Sequence, residues 1–206
     1  MQEVWYADRR DVVKWAALIH LVHTQGLDVI LQIAFCRPEK TPYELQTPDG
    51  PIQIPSIVWH HFRNLYNIVP LGHAANVEVN VFGREFGNTK ERRGRYFAEV
   101  IKEVKALQAK RLLVFFDPDT GLEPQSCTAK HVKATELGQV FGSMKPKDWL
   151  VLYQHRPLRF AGDWKMKAEE KFALAVGVAQ DGIKSFFSTV APDVVFFAVE
   201  KRGSST

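Results

Sequence analysis

Three runs of mostly apolar residues stand out along the chain, at 27–35, 111–116 and 148–154. Each run is short, rich in branched or aromatic side chains, and followed by a segment rich in proline or charged residues. Such runs lack the strict alternation of a half-exposed strand, and they are shorter than most helices. The pattern therefore predicts three β-strands that are buried on both faces.

Amphipathic segments alternate with these runs. After Asp8, a candidate N-cap, apolar residues recur at helical spacing as far as Gly26. The same spacing predicts helices over 56–66, 90–110, 129–144 and 165–179. Residues 77–82 alternate between apolar and polar side chains as a strand does. The segment 37–55 is rich in proline, threonine and glycine, which predicts a loop with a small hairpin.

Two further apolar runs, 183–190 and 193–199, close the chain, and their short separation predicts an antiparallel strand pair. The repeated order of strand and helix favours a parallel sheet with helices on both faces. The sequence thus predicts an α/β fold, a Rossmann-like and mostly parallel sheet flanked by helices, with an antiparallel C-terminal strand pair. We expect 1–201 to form a single α/β domain and 202–206 to be a flexible tail.

Composition narrows the class of protein. The chain has 206 residues, 46% of them hydrophobic, which is enough for one full-sized core. A formal net charge of +4 permits contact with nucleic acid without indicating a protein that coats it. Cys36 and Cys127 lack CxxC spacing, so we expect neither disulfide nor zinc site, and a cytoplasmic location. No signal peptide or membrane-spanning stretch is recognisable, and no membrane partner is expected.

The segment FFDPDTGLEP, residues 115–124, places three carboxylates directly after a predicted buried strand. In parallel α/β sheets, ligands bind outside the carboxyl ends of the strands. Asp-Pro-Asp-x-Gly is also good turn chemistry, so an acidic turn without further function is one interpretation. Three carboxylates this close repel one another unless a cation neutralises them, which favours a divalent metal site. The predicted ligands of Mg²⁺ or Mn²⁺ are Asp117, Asp119 and Glu123.

His155 follows another predicted buried strand, and Arg156 and Arg159 come soon after it. If the strands ending at 116 and 154 are neighbours, His155 faces the same crevice as the carboxylates. Histidine transfers protons near neutral pH, and arginine binds phosphate in a planar fork. Lys130, at the predicted start of the helix 129–144, is close enough in sequence to reach back to the acids. The predicted catalytic residues are Asp117, Asp119, Glu123, Lys130 and His155.

The motifs FFDPDTGLEP, KHV and VLYQH, in this order, resemble a group of bacterial and phage proteins that lack an assigned activity. That group carries an N-terminal Asp-x-x-Lys-aromatic element, which here is formed by Asp11, Lys14 and Trp15. The resemblance covers the larger part of the chain. It implies that Asp11 and Lys14 bind substrate, a role that we also expect of Arg156 and Arg159.

More distantly, the chain is similar to Rossmann-like methyltransferases, including the three-Cys-motif partner proteins. In amino-methyltransferases a strand ends in Asp-Pro-Pro-Tyr, which positions the target base, and residues 117–120 take the corresponding place. The first strand of such an enzyme runs into a glycine-rich turn beside S-adenosylmethionine. Here the segment after the first strand has no glycine before Gly50. The resemblance therefore implies the scaffold and leaves S-adenosylmethionine a doubtful cofactor.

Three functions fit these patterns. The favoured one is divalent-metal-assisted cleavage of a phosphoester in a nucleic acid or nucleotide, with His155 transferring protons. The second is a divergent S-adenosylmethionine-dependent nucleic-acid methyltransferase. The third is a non-enzymatic Rossmann-like domain that binds a nucleotide, a nucleic acid or a protein. The sequence contains no P-loop, GxSxG or HExxH motif, so NTPase, serine-hydrolase and zincin functions have no support.

Overall fold

The computed structural model describes residues 8–37, 44–48, 50–53, 65–124, 126–157 and 163–203. In chain order, the strands are β1 (Val29–Ala34), β2 (Glu44–Thr47), β3 (Gly50–Gln53), β4 (Glu78–Phe82), β5 (Leu112–Asp117), β6 (Gly121–Leu122), β7 (His131–Val132), β8 (Trp149–His155), β9 (Ile183–Ser188) and β10 (Ala191–Glu200). The helices are α1 (Arg9–Gln25), α2 (Ile68–Ala74), α3 (Lys90–Ala106), α4 (Ala134–Ser143) and α5 (Trp164–Val176), with 3₁₀ turns at Leu65–Asn67 and Gln180–Gly182.

Six of these strands form the central sheet, in the order β4-β1-β5-β8-β10-β9. The strands β4, β1, β5 and β8 are parallel to their neighbours, whereas β10 runs antiparallel to both β8 and β9. The predicted fold class is therefore confirmed, including the antiparallel pair at the C-terminal end. The predicted hairpin in 37–55 is also confirmed, because β2 and β3 pair antiparallel.

Hydrophobic packing on both faces of the sheet explains why its central strands carry almost no polar residues. Every residue of β1 and β5 is buried. One face packs against α3, α4 and α5 through side chains such as Val100, Val140 and Phe172. The other face packs against α1 and α2 through side chains such as Leu18 and Ile68. Continuous apolar runs are what a strand needs when helices cover both of its sides.

The segment after FFDPDTGLEP differs from the prediction. A helix was expected over 129–144, but His131 and Val132 form the short strand β7, which pairs with β6, and the helix begins at Ala134. Lys130 and His131 are therefore not in the first helical turn. The predicted helix over 56–66 falls mainly outside the described residues, as do residues 204–206 of the expected tail.

The order of the strands locates the crevice in which this kind of sheet binds ligands. The chain passes from β1 to β4 on one side of the sheet and then from β5 to β8 on the other side. The direction of progress thus reverses between β1 and β5, and ligands bind at the carboxyl ends of the two strands that flank such a reversal. Ala34 of β1 and Asp117 of β5 lie side by side at this edge.

No helix in the described part of the chain combines the length and the apolar character needed to cross a bilayer.

Candidate functional site

A buried lysine lies between two carboxylates at the base of this crevice. The Nζ atom of Lys14, on α1, donates to Asp11 Oδ1 at 2.6 Å and to Asp117 Oδ2 at 3.0 Å. Lys14 is 3% exposed and Asp117 is 2% exposed. Burial by itself would lower the pKa of Lys14, but the charges of Asp117 and Asp11 outweigh it and raise that pKa above its ordinary value. Lys14 is therefore a fixed ammonium group.

Gln32, a residue of β1, is the third side chain at the base of the crevice that contacts Asp117 or its partner. Its Nε2 atom donates to Asp117 Oδ2 at 2.8 Å, so two donors share one carboxylate oxygen. The other oxygen of Asp117, Oδ1, accepts from no donor among the described residues, and Asp117 lines the cavity above. Asp117 thus combines a firmly held position with one acceptor atom that remains available.

A cavity of about 400 Å³ opens above this floor. Its volume lies within the range of small-molecule sites, roughly 300–1,000 Å³. Acids, bases and a phenol share its wall, so the cavity carries both signs of charge. The lining residues are Asp8, Arg10, Asp11, Lys14, Asp117, Pro118, Asp119, Thr120, Lys130, Tyr153 and His155. We call this cavity the switch-point pocket.

One rim of the switch-point pocket is a chain of charged groups centred on Asp193. Arg10 donates to Asp193 Oδ2 from Nη2 at 2.5 Å and from Nε at 3.0 Å. His155 Nε2 lies 3.2 Å from the same oxygen, and His155 Nδ1 lies 2.9 Å from the carbonyl oxygen of Arg156. Both ring nitrogens face acceptors, an arrangement that only the doubly protonated imidazole satisfies in full. His155 is therefore placed to donate hydrogen bonds to these two oxygens, and neither ring nitrogen is left to take a proton from a ligand.

Tyr153 and Lys130 offer the remaining polar atoms of the switch-point pocket. The Tyr153 side chain is 7% exposed, and within the described ranges its hydroxyl has no hydrogen-bond partner. Burial raises the pKa of Tyr153 above its ordinary value, although the nearby Lys14 ammonium opposes this. Lys130 is exposed, and its ammonium makes no ion pair with a described carboxylate. Both groups are free to contact a ligand.

Asp119 is held by a different partner from Asp117. The guanidinium of Arg37, which follows β1, forms an ion pair with Asp119 Oδ2. This pair joins the chain beyond β1 to the chain beyond β5, across the reversal point of the sheet. Arg37 therefore neutralises the charge that the sequence assigned to a metal ion.

The loop 117–123 is anchored to β8 by Gln154. The Gln154 side chain accepts from Leu122 N at 2.9 Å and donates to the Thr120 carbonyl at 3.0 Å. Gly121 has φ +106°, and a Cβ atom at this position would lie 2.3 Å from Gln154 Oε1. Glycine is required here for its backbone angle and for this close approach. The turn interpretation of Asp-Pro-Asp-x-Gly describes the local structure well.

Glu123 lies away from the other acids. Its Oε1 accepts from Ala134 N at 3.0 Å, at the first residue of α4. Lys133 precedes this helix and has no acceptor in its side chain, so carboxylates from elsewhere cap the free amides. Glu136 Oε2 accepts from Lys133 N at 2.9 Å in the same way. Glu123 is a helix cap and does not line the switch-point pocket.

Of the remaining residues that the sequence predicted for the site, some line the switch-point pocket and others do not. Asp11, Lys14, Lys130 and His155 all line the switch-point pocket. Arg156 is exposed and outside the lining, and Arg159 lies outside the described residues. The sequence did not predict Arg10 and Tyr153, which line the pocket, or Gln32 and Asp193, which bind lining residues. Of these, Gln32 had a usable signal, because it is the one polar residue of the buried strand VILQIA.

No protein-family model and no curated protein matches the chain. Two solved structures share its general fold. A DUF574 family protein from Streptomyces avermitilis has 9% identity and a TM-score of 0.45, and the match covers 94% of this chain and 82% of that one. A protein from Thermobifida fusca, provisionally assigned as a methyltransferase, has 10% identity and a TM-score of 0.41, with 95% and 80% covered. At these values the likeness concerns the fold alone.

The favoured function, divalent-metal-assisted phosphoester cleavage, is wrong. The acids of FFDPDTGLEP have separate partners, namely Lys14, Arg37 and the amide of Ala134. Among the described side chains, no three from Asp, Glu, His and Cys are grouped as they would be around a metal ion. The prediction that Asp117, Asp119 and Glu123 together bind Mg²⁺ or Mn²⁺ is therefore not supported either.

Proposed function

We propose that the chain is an S-adenosylmethionine-dependent methyltransferase that modifies an amino group of a nucleic acid or nucleotide in the switch-point pocket. One observation carries this proposal. At the point where a Rossmann-like sheet binds its ligand, three polar groups remain available in one cavity: a carboxylate oxygen of Asp117, the hydroxyl of Tyr153 and the ammonium of Lys130. Together they complement a ligand that carries both signs of charge.

The chemistry of these groups fits S-adenosylmethionine. This cofactor has a sulfonium, an ammonium and a carboxylate group. The acidic floor of the pocket suits the cations, and the unpaired ammonium of Lys130 suits the carboxylate. The glycine turn of related enzymes is absent, because β1 continues into the buried Phe35, whose ring lies 4.4 Å from that of Phe86. Side chains of the pocket, rather than a glycine-rich backbone, would therefore hold the cofactor.

When bound, S-adenosylmethionine supplies an electrophilic methyl group. The chain contributes position and charge. Asp117, fixed by Lys14 and Gln32, accepts a hydrogen bond through Oδ1 from the amino group of the substrate. The tyrosine ring of Tyr153 adds an aromatic wall beside a cationic ligand.

A phosphate-bearing substrate is supported by the cations at the mouth of the switch-point pocket. Arg10, Lys14 and Arg37 are committed to carboxylates. Lys130 and Arg156 are exposed, and neither forms an ion pair with a described residue. Cations that have no carboxylate partner in the protein can neutralise the phosphates of a nucleic acid, and the binding affinity then falls as the salt concentration rises. This arrangement favours a nucleic acid or nucleotide over an uncharged amine.

The experiment that tests the proposal measures transfer of a labelled methyl group from S-adenosylmethionine to DNA, RNA and nucleotides. We expect turnover by the parent chain and a loss of about 100-fold in Asp117→Asn, since oriented polar groups at a reacting centre contribute that much. Glu170→Gln, at an exposed glutamate outside the pocket, is the matched control and should keep full activity. Absence of transfer to every substrate class contradicts the proposal.

A non-enzymatic binding role is the second candidate, and one observation favours it. Both nitrogens of His155 face acceptor oxygens, so neither is left to take a proton from an amine. A chain with this role binds a nucleotide in the same cavity without chemical turnover. Nucleotide binding by calorimetry together with no methyl transfer is the result that distinguishes it.

A further inference from the structure

A second cavity lies at the opposite edge of the central sheet, with a volume of about 540 Å³. Three strand ends border it: the start of β8 at Trp149, the end of β10 at Glu200, and the start of β9 near Lys184. The switch-point pocket lies at the other end of β8, beside His155. The two cavities share no lining residue. We call this one the distal cavity.

Three cations line the distal cavity, namely Lys184, Lys201 and Arg202. Within the described ranges, none of them forms an ion pair, although Asp181 and Glu200 line the same cavity. Lys110 and Glu78, which are also partly exposed, do form an ion pair. Like charges that face one cavity repel one another until an anion enters. The cations of the distal cavity are therefore available to a ligand.

Two of these cations are held in position by aromatic rings. Lys184 Nζ lies 4.7 Å from the centroid of the Trp149 ring, and Lys201 Nζ lies 4.6 Å from that of Phe141. Both rings are at the cavity wall and are largely buried. A cation above an aromatic face is stabilised without losing its charge. The ammonium groups are thus placed in advance at fixed points of the wall, which lowers the entropy cost of binding.

Trp149 supplies an independent sign of a missing acceptor. The residue is 2% exposed, and its indole Nε1, which can only donate, has no hydrogen-bond partner in the described structure. An unsatisfied buried donor costs about 1–3 kcal/mol. Oxygen atoms that only accept hydrogen bonds would neutralise the ammonium groups of Lys184 and Lys201 at this wall. Phosphate carries several such oxygens and more than one negative charge.

We propose that the distal cavity is a binding site for a small molecule that carries a phosphate group. Lys184 and Lys201 contribute point charges, and Arg202 contributes the planar fork that matches phosphate oxygens. The volume of the cavity leaves room for more than the phosphate itself. Asp181 and Glu200 oppose excess negative charge, so the site selects a ligand of limited charge over a polyanion.

Calorimetry and tryptophan emission with inorganic pyrophosphate as the probe test the site. We expect binding with a dissociation constant of about 1 mM or tighter, which is measurable by titration. Binding places anionic oxygen atoms beside the Lys184 ammonium at the Trp149 ring, so the emission change should disappear in Trp149→Phe. Lys184→Gln and Arg202→Gln should each weaken binding about tenfold, or about 1.4 kcal/mol. Asp181→Asn should strengthen it by removing a like charge.

Lys165→Gln is the matched control. Lys165 Nζ also lies over an aromatic ring, that of Phe187 at 3.9 Å, but it is outside the distal cavity. The proposal requires that this variant bind pyrophosphate as the parent does. Three results overturn it: no binding at millimolar pyrophosphate, equal losses in Lys165→Gln and Lys184→Gln, or an emission change that persists in Trp149→Phe. Circular dichroism shows that each variant remains folded.

Discussion

Lys14 and Asp117 form a buried ion pair at 3.0 Å although 103 positions separate them in sequence. The pair joins the first helix to the carboxyl end of a central strand. It thereby links the Asp-x-x-Lys element near the N-terminus to the acidic motif FFDPDTGLEP. Removing either partner leaves the other charge buried, where water cannot solvate it.

Lys14→Met should destabilise the fold by about 3–5 kcal/mol, because Asp117 and Asp11 would keep buried charges without their cation. The measurement is urea unfolding at neutral pH.

Lys102→Met, at an exposed position on α3, is the control for this experiment. We expect it to change the free energy of unfolding by less than about 0.5 kcal/mol, as most surface substitutions do. Equal costs for the two variants would show that the ion pair of Lys14 contributes nothing.

The free energy of unfolding should fall above about pH 10, where tyrosine and lysine side chains lose protons in the unfolded chain. Burial raises the pKa of Tyr153, so the native state keeps this proton after the unfolded state has released it. The unfolded state then binds fewer protons, and stability decreases as pH rises. Tyr153→Phe should flatten this decrease by up to about 1.4 kcal/mol per pH unit. An unchanged slope in urea titrations between pH 9 and pH 11 is the contrary result.

Gly121→Ala should cost roughly 1–3 kcal/mol, because alanine is strained at φ +106° and its Cβ would meet Gln154. The same variant should weaken binding in the switch-point pocket, since Thr120 and Asp119 belong to the displaced loop. Gly142→Ala is the contrasting variant, because Gly142 lies in α4 and a Cβ added there would meet no other atom. It should raise the free energy of unfolding by about 0.5–1 kcal/mol. Thermal unfolding of both variants checks the contrast. A shift of the melting temperature in the same direction in both variants would contradict it.

Glu123→Ala should lower stability by about 0.5–2 kcal/mol through loss of a helix cap. It should leave ligand binding unchanged, because Glu123 does not line the switch-point pocket. Asp163→Ala removes the N-cap of α5 and is expected to cost a similar amount. If Glu123→Ala lost ligand affinity without losing stability, Glu123 would be a ligand-binding residue and not only a helix cap.

The strands of the central sheet were predictable because helices bury both of their faces, which requires continuous apolar runs such as RLLVFF. The start of α4 was mispredicted for a physical reason. Its caps are carboxylates of Glu123 and Glu136, and the first of these comes from a separate segment. Local sequence carries no trace of a cap supplied from elsewhere, and the pairing of β6 with β7 depends on the same loop.

The site was predictable in part. Position at a strand end correctly marked Asp117 and His155 as neighbours of one cavity. The neutralising partners were not predictable, because Arg10 and Asp193 meet across 183 positions and Arg37 and Asp119 across 82. Without those partners, three acids in one motif suggest a metal ion. With them, the same charges are balanced by side chains of the chain itself.

Calorimetric titration with S-adenosylmethionine tests the central claim most directly. The account predicts one binding site per chain with a dissociation constant in the micromolar to millimolar range, about 1 μM to 1 mM. Asp117→Asn should weaken that binding, whereas Glu170→Gln, at an exposed position outside both cavities, should not. Absence of binding heat in the folded parent chain at millimolar S-adenosylmethionine, or equal affinity in parent and Asp117→Asn, would contradict the switch-point pocket as a methyl-donor site.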